Sequence, residues 1–216
     1  MLMALVYAVL VVGGGATLSA AFSIPHDSVD QAVAYMAKVA WKIRWGSFSE
    51  MGSAIPLGVF VATVVSRLRF LRVRAAGLTI ALCGGTAAMA MVLLAALSTW
   101  SLTRPGIVNA DGAVRALQAM SFECGGPGFV AALGLFVAGV SVTAGLHRLI
   151  PPWLMWLGIV VASACELATL TLLVWNFAYC IPVGRFISIV WMIGVAATLP
   201  RHLTGDRNQQ GASAAV

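Results

Sequence analysis

Charge is what this chain has least of. Lys, Arg, Asp and Glu make up 9% of its 216 residues, where a soluble domain carries about 25%. A surface that faces water all round cannot be built from so few. Histidine is scarcer still: His26, His147 and His202 stand far apart in sequence. There is no His-x-x-x-His, no Cys-x-x-Cys and no glycine-rich loop joining a strand to a helix, so the usual zinc, thiol-redox and phosphate-loop signatures are missing. Met120 and Cys124, four residues apart, have soft-ligand spacing for copper(I), but among nine methionines that pairing reads as coincidence. Ser141, Thr143, Ser163 and Thr171 have no histidine at a matching depth to act as a base. No basic patch is joined to a reading element, which argues against nucleic acid as a partner. The sequence assigns no cofactor, no metal and no catalytic residue.

What the chain does have is long apolar runs, with hydrophobic residues at 61%. The runs approach the roughly 20 residues that a helix needs to cross a bilayer. They predict an all-α transmembrane bundle, one domain over residues 1–203, with spans at 2–22, 53–66, 76–97, 128–150, 153–175 and 181–200. The polar remainder, 204–216, is expected to be disordered. The second span is short. Extending it back to Phe48 restores its length, sets Glu50 at headgroup level and puts Pro56 one turn inside, where its missing N–H predicts a kink or a helix start. Ser19-Ala20-Ala21 resembles a signal-peptide cleavage site, but no Lys or Arg precedes the first run, and its length favours a retained span.

Between spans one and two, Val29, Val33, Met36, Ala40 and Ile43 recur at helical spacing, with Asp30, Gln31, Lys38 and Lys42 largely opposite. This predicts an amphipathic helix over residues 28–45 lying on the membrane surface, anchored by Trp41 and Trp45. It would be a connector, or a lid or docking helix. Residues 99–127 form a second long connection, with a short helix from about residue 111 to 122 and a break at Cys124-Gly125-Gly126-Pro127-Gly128. Gly13-Gly14-Gly15, Gly84-Gly85, Gly134 and Gly139 mark expected close approaches between helices.

The basic residues are sided. Arg67, Arg69, Arg72, Arg74, Arg148, Arg201 and Arg207 fall on one predicted face with almost no acid. On the other, Lys38, Lys42, Arg44, Arg104, Arg115 and Arg185 are nearly cancelled by Asp27, Asp30, Glu50, Asp111 and Glu123. The arginine-rich face, with both termini, is therefore expected to be cytoplasmic. Trp100, Trp153 and Trp175 fall at span ends, where indoles favour the headgroups.

One acid lies deep in an apolar run. Glu166 shares a helical stripe with Ser163 and Thr169, and a carboxylate there must be paired, protonated or open to water. Such a stripe is expected to face protein or water, and Arg185 on the sixth span is the expected counter-ion. Cys124 and Cys180 both fall on the outer face, where an oxidising compartment permits a disulfide between them; Cys83 and Cys165 read as packing residues.

From residue 122 onward the segments Phe122-Glu123-Cys124-Gly125-Gly126-Pro127-Gly128-Phe129, His147-Arg148 and Pro152-Trp153-Leu154-Met155-Trp156-Leu157-Gly158 resemble an uncharacterised bacterial family of multi-pass membrane proteins of about six helices. The resemblance implies a bacterial inner-membrane location and brings no catalytic residues with it. The expected function is that of a non-enzymatic accessory or structural subunit, in contact with lipid and with another membrane protein or a second copy. The alternatives are a small-solute or proton-coupled transporter using Glu166, and a membrane enzyme acting on a lipid or quinone.

Overall fold

A computed structural model describes residues 1–200, apart from the side chain of Ala16. Arg201, His202, Arg207 and the expected disordered tail lie outside the described residues. Seven α-helices follow one another: α1 (Leu2–Phe22), α2 (Val29–Phe70), α3 (Ala76–Ser101), α4 (Asp111–Glu123), α5 (Phe129–Leu146), α6 (Pro152–Leu167) and α7 (Cys180–Thr198). Six helical runs are long and apolar enough to cross a membrane: Leu2–Phe22, Val29–Phe70, Ala76–Ser101, Asp111–Leu146, Pro152–Leu172 and Trp175–Thr198. This is the make-up of a multi-pass membrane protein.

Two expected breaks are continuous helix instead. The amphipathic stretch before span two is not a separate surface helix, because it runs straight into the apolar part of α2. The whole is about 63 Å long at ~1.5 Å per residue, twice the bilayer core of about 30 Å. Ser28 caps its start by accepting from the Gln31 N–H at 3.2 Å. Gly46, Gly52 and Pro56 do not interrupt it, since α1 lies along it as a splint. Thr17 and Leu18 of α1 pack onto Gly46, and the Ser49 hydroxyl donates to the Leu10 carbonyl at 2.8 Å. The second break, Cys124–Gly128, is a single π-helical turn that joins α4 to α5. Pro127 has no N–H to give, and the Phe129 N–H reaches back to the Cys124 carbonyl.

α5 is the central element, packed against α3 on one side and α6 on the other. Phe60 of α2, Phe136 of α5 and Trp191 of α7 form an edge-to-face chain with centroids 6.1 and 5.9 Å apart, a favoured aromatic geometry. α3 and α5 meet backbone to backbone. A methyl on Gly84 would stand 2.7 Å from the Ala132 carbonyl and the Phe136 N–H, which explains why glycine occupies that site. The glycine triplet of α1 is different: Gly14 meets Ser49, while Gly13 and Gly15 face open space.

The two ends of the bundle differ. At one end, α2 and α5 close with the same turn. Val73 and Arg72 donate to Leu68 and Arg69, and Leu149 and Arg148 donate to Ala144 and Gly145. This is the Schellman pattern, with Arg72 (φ 62°) and Arg148 (φ 54°) where glycine is usual. The other end is capped by a small second core, including Ile24, Met36, Ile43, Leu102 and Val114, drawn from α1 to α4. Asp111 clips this cap by accepting from Arg115 at 2.7 Å and meeting His26 at 2.6 Å.

Candidate functional site

Arg185 belongs to Glu50. Its guanidinium stands 3.5 Å from the Glu50 carboxylate, and its Cζ lies 5.0 Å from the centre of the Phe129 ring. Glu50 sits on the buried face of α2 with Gly46, Ser47, Ser53, Ala54 and Leu57, the i±3, i±4 and i+7 neighbours that share one side of a helix. It lies about 30 Å from the Phe70 end of α2, so the pair is one bilayer core away from the arginine-rich turns. Around it, α1 brings up Tyr7, fully buried, whose hydroxyl has no hydrogen-bond partner among the described residues; the Arg185 Nε is likewise buried and unpartnered. The π turn forms the wall on the capped side, where a methyl on Gly125 would stand 3.5 Å from the Glu50 Oε1. Single π turns recur at functional sites because they aim side chains that a regular helix would not.

Two connected spaces meet at this pair. A crevice of about 260 Å³ runs between α1 on one side and the π turn and α7 on the other, walled by Leu18, Phe22, Phe122 and Ile181 with Glu50 and Arg185 at its floor. Beneath it a chamber of about 30 Å³ reaches Tyr7 and Ser53, room for about one water. Gly15, Leu18, Glu50 and Arg185 line both.

Glu166 is placed otherwise than its neighbourhood in the sequence implied. α6 buries Leu154, Gly158, Val161, Ala162 and Cys165, which leaves Glu166 and Ser163 on its exposed side. The expected pair with Arg185 does not form: Cys165, not Glu166, packs on Gly184 beside that arginine. The polar stripe satisfies its hydroxyls within its own helix, Ser163 donating to the Ile159 carbonyl at 2.9 Å and Thr169 to the Glu166 carbonyl at 2.6 Å. The carboxylate lies over Gly134 of α5, where a methyl would stand 3.0 Å from its Oε1. It has no hydrogen bond or ion pair among the described residues; exposed Ser163 shares its side of α6, and the exposed apolar residues Trp156, Val160 and Leu167 lie about 100° round the helix from it. Cys124 and Cys180 are both free thiols, so the expected disulfide is not present.

Sequence reasoning missed Glu50 because the apolar window of span two starts at Ser53, which leaves Glu50 among the surface charges. Its spacing to Ser53, Ala54 and Leu57 was the available signal. The chain matches no protein-family model, no curated protein and no solved structure.

Proposed function

We propose that the chain is a non-enzymatic accessory subunit of a bacterial cytoplasmic membrane, both termini cytoplasmic, that docks a partner membrane protein through the α6 face carrying Glu166. The siding of the arginines supports the orientation: Arg67, Arg69, Arg72, Arg74 and Arg148 cluster at the turns of one end, as cytoplasmic loops do. The resemblance of residues 122–158 to multi-pass bacterial proteins supports the location.

One observation carries the docking: an exposed carboxylate about 21 Å along α6 from its Pro152 end, with no partner among the described residues. An ionised side chain facing lipid is costly, by up to about 2.5–3.5 kcal/mol at the centre of a span, and a cation on a facing helix lowers that cost. A second copy does not supply it, since Arg185, the basic residue within the apolar part of the bundle, is engaged with Glu50. The occupant is therefore a transmembrane helix of another protein bearing Lys or Arg, received over Glu166 and the exposed Ser163 one turn away.

A photoreactive residue at Ser163, exposed one turn from Glu166 and activated in native membranes, tests this. A discrete protein adduct that disappears with Glu166→Gln and Glu166→Lys is expected. Adducts to lipid only, or a protein adduct indifferent to both substitutions, would sink the assignment.

A further inference from the structure

The crevice over Glu50 and Arg185 is independent of the Glu166 face and has a chemistry of its own. Its floor presents a carboxylate and a guanidinium side by side, so a ligand of one sign gains at one group and is repelled by the other. A ligand carrying both signs gains at both. Donor capacity is left over at the floor and in the chamber beneath it, because among the described residues the Arg185 Nε and the Tyr7 hydroxyl are buried without partners. Its walls, by contrast, are mainly apolar, Leu18, Phe22, Phe122 and Ile181 with Ser19 and Ser121 among them.

Size narrows the ligand further. At about 260 Å³ the crevice lies just below the range of about 300–1,000 Å³ of ordinary ligand cavities. It admits a compact head and leaves any long tail outside. Phe22, at the mouth, is half exposed and continues the apolar surface of α1, along which Val9 and Val12 are also exposed. A tail leaving the crevice meets that surface.

We infer that this crevice binds the head of a zwitterionic phospholipid with a primary ammonium, its phosphate on Arg185 and its ammonium on Glu50, its chains lying along α1. The guanidinium fork suits a phosphate. The carboxylate accepts only from a head that has N–H donors, so a quaternary ammonium, lacking them, fails at Glu50. A purely anionic head meets Glu50 as a repulsive neighbour. The chamber beneath, with Tyr7 and Ser53, holds about one water between the head and the bundle.

The test is thermal unfolding and native mass spectrometry of the purified full chain in micelles, with phosphatidylethanolamine, phosphatidylcholine or phosphatidylglycerol added at equal mole fraction. Phosphatidylethanolamine is expected to bind about tenfold more tightly than the other two, the value of one charge-assisted hydrogen bond. Glu50→Gln is expected to level the three lipids. Because that change also touches a buried ion pair, Gly126→Leu serves as the second variant. A methyl on Gly126 would meet only Ile181 and Phe122 at 3.4 Å or more, so a longer side chain fills the crevice while the pair stays. It too is expected to abolish the preference. Equal binding of all three lipids by the unaltered chain would overturn the inference, as would a preference untouched by Gly126→Leu. Equal stabilisation by glycerophosphoethanolamine, the same head without chains, would overturn the lipid assignment.

Discussion

Arg185 of α7 pairs with Glu50 of α2 at 3.5 Å, while Glu166 of the adjacent α6 has no partner among the described residues. The pair ties together two helices that are otherwise not main neighbours: α7 packs chiefly on α6, and α2 on α1 and α3. A buried ion pair of this kind is a poor source of net stability but an effective determinant of which helices meet, since a lone charge left in the interior is expensive.

Single removal of either partner is therefore expected to cost about 3 kcal/mol, because it strands the other charge. Glu50→Leu and Arg185→Met should each lower the unfolding midpoint in mild detergent. The double variant should recover most of the loss. Equal and additive losses would show that the two residues act separately.

Glu166→Leu is expected to behave in the opposite way. In the isolated chain the carboxylate is exposed and bonds to nothing described, so its removal should leave the unfolding midpoint unchanged or raise it. A fall of more than about 1 kcal/mol, beyond what surface substitutions ordinarily produce, would mean that Glu166 holds the bundle together from within and needs no partner.

These contrasts show where sequence stops being informative. Apolar runs give the number of helices, because bilayer thickness sets their length. Depth is less legible: counting residues sets Arg185 about two turns above Glu166, whereas Cys165 packs on Gly184 and brings the two close in level, because the chain leaves the α-helix at Leu167. What a single sequence does not give is rotation. One position of difference turns a helical residue by about 100°, enough to send Cys165 inward and Glu166 outward. Helix continuity was also hidden, because Pro56 reads locally as a kink or a helix start. The splint along α2, α1, is a tertiary contact.

The four thiols provide a direct chemical check. Cys83, Cys124, Cys165 and Cys180 are all free, so alkylation of the denatured chain without reductant should add four groups, seen as one mass species. Two groups, with two more after reduction, would restore the disulfide between Cys124 and Cys180.

The helix contact at Gly84 is a further point of sensitivity. An added methyl would stand 2.7 Å from backbone atoms of Ala132 and Phe136, and backbone within a central helix cannot move aside as a side chain would. Gly84→Ala is expected to cost about 1–3 kcal/mol, the range for overpacking. Gly13→Ala, which meets nothing within 4 Å, should be neutral or stabilising, since alanine favours helix more than glycine does. Comparison of the two unfolding midpoints in one detergent separates packing from propensity.

The matched turns after α2 and α5 yield the last prediction. Arg72 and Arg148 hold left-handed backbone at φ 62° and 54°, which costs a residue with a Cβ roughly 1 kcal/mol relative to glycine. The hydrogen bonds of each turn come from backbone alone, so they do not need the arginine side chain. Arg72→Gly and Arg148→Gly should then each raise the stability of the purified chain, by up to about 1 kcal/mol. In the membrane, the same changes remove positive charge from the end proposed to be cytoplasmic, and the double variant should insert less uniformly, as read by protease protection of a tag at the C-terminus. A purified double variant less stable than the parent would show that the arginine side chains make contacts of their own at these turns. Stability gained with insertion unchanged would leave the turns as plain Schellman caps and remove Arg72 and Arg148 from the orientation signal.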